Sequence, residues 1–552
     1  MKSWTLLGAS ALALVAVVAT AAASVPWRRG GPFDLRPSLR EWPLDLELPS
    51  FTSGGASSRP NVLFVVWDTV RADRLSLYGH DKPTTPFLES IAGRSVVFDR
   101  AISPSFWTLP SHASLFTGLA ASVHGADADY HWLDSRFLTM AEHFGANGYD
   151  TYAWSSNPNI SRTANTTQGF DTFQQPFGAN LWRDKVEAFT QSLLHPDDHT
   201  TRDSPERYKS IAFHKTGPVT HEAFVGWLDE TRDEKRPFFA FLNYMEAHAY
   251  RLPSERARTV VAPDPQSYAQ MLQTSNLLRR QTNVMFGRWK DYTRRERQGL
   301  YDLYDASIVD LDAYLSGLFD ALRERQLLDD TIVVLTADHG EQFGEHGLYL
   351  HNFSVYEPLV HVPLVIYWPA GGLEGQRVAE PVSTTALFRT LVGLADVEMP
   401  EQDIGNADLL YRRKGPVVSE LTAPCANPEN RRLDHGIRDW SATYAAIYDG
   451  DVKLIESSNG SHELYNLARD GFEQSNLFGI PRSRDTAERL LAALREWRAA
   501  QPTFEITAEE RRAENAAREA NRDEELMGQL EELGYVDEEA EPDAGAGEPV
   551  AP

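Results

Sequence analysis

The sequence predicts an α/β sandwich followed by a small antiparallel-sheet subdomain. Three observations carry that reading. Apolar, β-branched runs recur between residue 60 and about residue 370, with amphipathic helical stretches between them. After about residue 415 the pattern changes to closely spaced strands joined by Asp-Gly and Asn-Gly turns. With 552 residues, 42% of them hydrophobic, the chain can bury a large core, which excludes global disorder.

The elements follow in order. Residues 1–25 hold one charge, Lys2, then an apolar stretch ending in Thr20-Ala-Ala-Ala-Ser24. This reads as a secretory signal cleaved near Ala23, or alternatively as a retained membrane anchor; both place the body outside the cytoplasm. Residues 26–59, rich in Pro, Gly and Ser, read as a linker. Val62-Leu-Phe-Val-Val-Trp67 opens the body as a buried parallel-type strand. Phe238–Leu242, Thr331–Thr336 and Val362–Trp368 are strands of the same kind. Ile308, Leu311, Tyr314, Leu315, Leu318, Phe319 and Leu322 recur at helical spacing. The catalytic unit is expected at 60–415, with an insert at 251–300 that carries ten bases and four acids. That insert either covers the site and attracts anions or is a solvated helical surface. The subdomain, 416–505, begins with a hairpin, Tyr444–Ile447 and Val452–Ile455 around Asp449-Gly450, and closes with a helix bearing Leu490, Leu491, Leu494 and Trp497. Residues 506–552 read as a charged helix and a disordered acidic tail.

The net charge of −26 excludes non-specific nucleic-acid binding and favours metal cations. A single cysteine, Cys425, excludes internal disulfides and multi-cysteine metal sites. In open α/β sheets ligands bind beyond the carboxyl ends of the strands. Those ends deliver Asp68, then Glu246 and His248, then Asp338-His339-Gly340. Carboxylates with imidazole suit a divalent cation; each residue alone is equally an ordinary turn or helix cap. Between Trp107 and Gly118, Pro110 suits the first turn of a helix and Gly118 its end. Thr108 then sits at a helix N-terminus, where free N–H groups favour an anionic ester; the plainer reading is an N-cap.

NVLFVVWD at 61–68, TLPSHASLFTG at 108–118 and TADHGEQFGEHG at 336–347 together resemble the sulfatase family of the alkaline phosphatase superfamily. The resemblance spans roughly 60–500 and implies an alkaline-phosphatase-like sandwich, a large mixed sheet between helices. It assigns Asp68, Asp338 and His339 as ligands of one divalent cation, Ca2+ first, with Mn2+, Mg2+ or Zn2+ as alternatives. Thr108 takes the place of the nucleophile, itself a metal ligand. His112 stands where the signature arginine usually follows. His248 resembles the histidine on the ester oxyanion or leaving group, and His351 falls near a lysine that contacts the anion. Glu345-His346-Gly347 resembles a loop beside the site, and Asn157 falls near a Lys/His pair.

Two departures matter. Typical members carry Cys-x-Pro-Ser-Arg, whose Cys or Ser becomes formylglycine; here the signature is Thr-Leu-Pro-Ser-His. Oxidation of threonine gives a ketone, and Cys425 lies far away, so no formylglycine is expected. Thr69 replaces a second aspartate, which favours one metal. The same superfamily contains phosphoethanolamine transferases and lipoteichoic-acid synthase, which use an unmodified threonine; this chain lacks their several membrane spans. The expected activity is hydrolysis of a sulfate or phosphate ester, on a glycan or lipid headgroup. A Thr-dependent phosphodiesterase or phosphoryl transferase, and an inactive anion-binding protein, are the alternatives.

Overall fold

The structure, a computed structural model, describes residues 59–177, 181–194, 215–275, 292–351, 353–373, 375–405, 408–410, 416–422 and 442–532. The expected signal or anchor, the linker up to residue 58, Cys425 and the acidic tail beyond 532 lie outside the described residues. Among the described residues no helix is long and apolar enough to cross a membrane.

Nine strands form one mixed sheet: β1 (Asn61–Trp67), β2 (Ser95–Ile102), β3 (Asp150–Trp154), β4 (Thr172–Gln174), β5 (Phe238–Tyr244), β6 (Thr331–Thr336), β9 (His361–Tyr367), β10 (Gln376–Val378) and β11 (Val382–Ser383). A two-stranded hairpin, β7 (Gln342–Phe343) with β8 (Tyr349–Leu350), follows β6. The order is β10-β2-β9-β6-β1-β5-β3-β4, with β11 also on β2. β1 runs parallel to both β5 and β6, and β9 is antiparallel to β6 and β2. The carboxyl ends of β1, β2, β5 and β6 therefore share one edge.

The pleat sorts the aromatic residues of β5 between two helical layers. Phe239 stacks on Phe144 of α2 (Met140–Ala146), and Phe241 meets Phe116 of α1 (Thr108–Thr117) at 5.0 Å. Phe238 packs on Phe224 of α3 (Gly217–Glu230), and Tyr244 on Tyr314 of α4 (Arg294–Glu324). Both faces are thus covered, which is why β1 and β6 read as unbroken apolar runs. The helical spacing from Ile308 to Leu322 falls within α4.

β2 is one of the strands that apolar runs alone do not reveal, as are β3, β4, β10 and β11. Its sequence, Ser-Val-Val-Phe-Asp-Arg-Ala-Ile, is broken by Asp99 and Arg100, where the pairing with β9 shifts register. Pro363, which has no N–H to donate, falls opposite that bulge.

The small sheet, β12 (Val417–Leu421), β13 (Tyr444–Asp449), β14 (Val452–Ser457) and β15 (Glu463–Asn466), is antiparallel, and α5 (Arg484–Ala499) packs on it through Leu490 and Leu494. A further helix, α6 (Ala508–Ala520), returns across the catalytic body: Trp132 Nε1 donates to Glu514 at 2.8 Å.

Candidate active site

Each strand end at the shared edge contributes one piece. Asp68 follows β1 directly, and its N–H extends the ladder by donating to Tyr244 O at 2.8 Å. Asp338 and His339 follow β6, and Gly340 N–H donates to Leu359 O at 2.7 Å. A Cβ on Gly340 would lie 2.1 Å from Pro358 O, so only glycine admits this turn. The loop after β2 leads into α1, whose first residue is Thr108. Trp107 takes the cap position in extended conformation, and no side chain caps the helix. Gly118 ends α1 at φ 72°, with Ile404 O packed where a Cβ would stand.

These pieces converge. Asp68, Asp338 and His339 place one ligand atom each within 4.8 Å of one another, and all three are fully buried. Thr108 Oγ1 lies 3.4 Å from His339 Nε2. Asn157 Nδ2 donates to Asp68 Oδ2 at 2.8 Å and to Thr108 Oγ1 at 3.3 Å, tying the hydroxyl to the carboxylate. Asp338 Oδ1 accepts from the backbone N–H groups of Thr69 and His339. Thr69 is a β-branched residue at φ 60°, a costly conformation that the tertiary structure imposes to aim its N–H.

Burial pushes the Asp68 carboxyl well above its ordinary range, and the charge of Asp338 adds to the shift. Burial pushes Asp338 up to about 7. The His339 imidazole is lowered by burial and by neighbouring His351. Asp68 Oδ1 and Asp338 Oδ2 have no hydrogen-bond partner among the described residues. Two buried carboxylates with orphaned oxygens, beside an imidazole, fit a divalent cation, which would supply the missing positive charge.

The histidines divide into two groups. The His248 and His351 rings lie 5.0 Å apart, and His351 is 4.8 Å from the His339 ring, so both face the cluster. His112 meets the cluster from beneath α1, with Nδ1 3.5 Å from Asp338 Oδ2. Its Nδ1 bonds Thr108 O at 2.9 Å, its ring packs against Phe116 and Phe241, and burial lowers its pKa to about 4. His346 is turned away and stacks on Tyr356, while Glu345 accepts from Arg71 and Tyr301. Glu246 caps α3, accepting from Thr216 and Gly217 N–H.

The 251–300 insert is not simply a solvated basic face. Arg251 and Arg258 are buried, and Arg251 pairs with Glu341. Arg294 and Arg295 are exposed at the start of α4, and Arg279 and Arg280 lie outside the described residues. Sequence reasoning misses Asn243, whose Nδ2 donates to Asp68 at 3.4 Å. Period-two counting along β5 was the available signal, since Asn243 shares a face with Phe239 and Phe241.

The sequence model of the family described as Sulfatase matches residues 60–397. The chain belongs to the sulfatase family. Among curated relatives of this sulfatase-family hydrolase, the uncharacterised sulfatase YidJ of Escherichia coli K12 is 26% identical over 79% of this chain and 86% of the relative. An ulvan-active sulfatase of Formosa agariphila is 25% identical over 77% and 78%. The phosphonate monoester hydrolase of Agrobacterium radiobacter superposes with a TM-score of 0.63 at 21% identity, covering 80% of this chain and 96% of that structure. That likeness shows the fold, which is alkaline-phosphatase-like. The sulfatase family generally binds a divalent metal, and Asp68, Asp338 and His339 form a group that could hold one.

Proposed function

We propose that this protein is a metal-dependent hydrolase that cleaves a sulfate or phosphate ester through the unmodified hydroxyl of Thr108. The observation that carries the reading is the place of that hydroxyl: at the uncapped start of α1, 3.4 Å from His339 and 3.3 Å from Asn157. Asp68, Asp338, His339 and Thr108 would hold one divalent cation, Ca2+ by family resemblance, with Mn2+, Mg2+ or Zn2+ as alternatives. When bound, such an ion lowers the pKa of a hydroxyl beside it and offsets charge on an ester oxygen.

The chain's own residues do the rest. Asn157 holds Thr108 Oγ1 against Asp68. Oγ1 passes its proton to water and attacks sulfur or phosphorus in line, and the bond to the leaving oxygen breaks as that oxygen takes a proton from His248 or His351. His248 and His351 flank the cluster and hydrogen-bond the oxyanion and the leaving oxygen. His112, buried between Phe116, Phe241 and Asp338, fixes the first turn of α1 through Thr108 O. Water or an acceptor then attacks the Thr108 ester and frees the threonine.

Formylglycine releases sulfate by collapse of its hydrate, whereas a threonyl ester needs direct attack on sulfur or phosphorus. The residue at 108 therefore favours a second reading, a Thr-dependent phosphodiesterase or phosphoryl transferase. The presence of Asp68, Asp338 and His339 together speaks against an inactive binder. The substrate is an anionic ester, on a glycan or a lipid headgroup, met outside the cytoplasm given the N-terminal sequence. A relative named for ulvan supports the glycan.

The deciding experiment assays purified protein against an aryl sulfate, a phosphate monoester, a phosphodiester and a phosphonate ester. Thr108→Ala should remove whichever activity appears; retained activity would refute the nucleophile assignment.

A further inference from the structure

We propose that Glu341 is a positioning residue: clamped by Arg251, it holds Nδ1 of His351 and so makes Nε2 the nitrogen that this ring presents to the substrate. The inference rests on the hydrolase reading above. Glu341 is fully buried, and its two carboxylate oxygens are divided between two tasks. One accepts from the Arg251 guanidinium; the other lies 3.2 Å from His351 Nδ1. Its backbone is pinned as well, since Arg71 donates to Glu341 O at 2.9 Å.

Arg251 is equally constrained. Its guanidinium lies 5.0 Å from the ring centroids of Tyr304 and Phe343, and its Nε donates to Ala247 O at 2.7 Å. Ala247 adjoins His248, so one buried arginine sets the placement of both histidines: His248 through the backbone and His351 through Glu341.

The chemistry of the pair assigns the hydrogen. A carboxylate already bound to guanidinium has only lone pairs to offer, so Nδ1 must carry the hydrogen. His351 follows a short hairpin strand whose last residue, Leu350, stands at φ 61°. Backbone alone would leave its χ2 broad and roughly two-fold. Glu341 removes that freedom and turns Nε2 toward the leaving oxygen of the ester.

The test begins with histidine 15N NMR of the holoenzyme, with His351→Asn used to assign the signal. This reading needs no turnover. The expected wild-type result is hydrogen on Nδ1 of His351, lost or mixed in Glu341→Gln. An Nε2–H form in the wild type overturns the proposal even if the glutamine variant does not fold. In kinetics, Glu341→Gln should lower kcat by about 10–100-fold with KM changed less than about threefold. The loss should be largest for esters with poor leaving groups, and the double variant should lose no more than His351→Asn alone. Uniform loss across leaving groups, or additive losses, overturns it. A protein inactive on every ester with the Nδ1–H form present would refute hydrolysis and leave the Glu341–His351 orientation standing.

Discussion

Asp68 Oδ1 and Asp338 Oδ2 carry an unmet electrostatic demand, because both are buried and neither has a hydrogen-bond partner among the described residues. A cation that binds only the folded state must then stabilise it. Adding Ca2+ or Mn2+ to chelator-stripped protein should raise Tm by several degrees, on the order of 2–3 kcal/mol at saturating metal. Asp338→Asn should abolish the shift; an equal shift in that variant would place the cation elsewhere. Gly340 is a second test at this scale. Because Pro358 O occupies the Cβ position at 2.1 Å, Gly340→Ala should cost about 1–3 kcal/mol and displace His339, measured as a lower urea midpoint with loss of activity. At this scale the strand-end rule already points to Asp68, Asp338 and His339. It does not point to Asn243, Glu341 or the Thr69 N–H, whose roles depend on which side chain meets them across the fold.

Helix α4 packs against several other helices of the body. Its Asp312 caps another helix in trans, accepting from Phe87 N–H at 2.8 Å and Leu88 N–H at 3.0 Å. Thr85, the residue at that helix's own cap position, makes no side-chain cap. Burial pushes the Asp312 carboxyl up to about 7 despite those two donors, against an ordinary value of 3.8. A folded-state pKa above the unfolded one means the native state holds the proton more tightly. That stability is complete below about pH 4 and disappears as pH rises through about 7, a loss on the order of 4 kcal/mol. Denaturant titrations of wild type and Asp312→Asn between pH 4 and pH 8 should therefore differ in slope, the wild type declining more steeply. Parallel profiles would contradict the shift. Apolar runs make β1, β5, β6 and β9 legible. β2 is hidden, because its bulge interrupts the pattern and its worth comes from pairing with β9 and Pro363.

At the scale of the molecule, the small sheet is bound to the catalytic body by a buried ionic contact. Lys453 of β14 is fully buried, with Nζ 2.9 Å from Glu357 Oε1 and 2.7 Å from Glu473 Oε1. Glu357 lies just before β9, and Tyr448 of β13 also donates to it at 2.7 Å. Removing the cation strands two carboxylates, so Lys453→Met should cost about 3–5 kcal/mol. Differential scanning calorimetry should show a lower transition; an unchanged Tm would mean the contact is dispensable.

What the sequence by itself determined is local and periodic. Strand runs, helical spacing, turn dipeptides and three separated motifs specify the α/β class, the antiparallel subdomain and the family, because each is written in neighbouring residues. Thr108 in place of a modifiable cysteine is likewise visible in one line of sequence, and it shifts the expected chemistry. What only the tertiary structure decided is which polar groups share the interior. Asn157 meets Asp68 across 89 positions, and Arg251 meets Glu341 across 90. Arg251 changed most: in sequence it is one of ten bases in a solvated-looking insert, and in the fold it is a buried clamp on Glu341. Charge in a sequence has no depth. Burial supplies it, since an ion taken out of water must find its partner, and that partner is chosen by the fold rather than by the neighbouring residues.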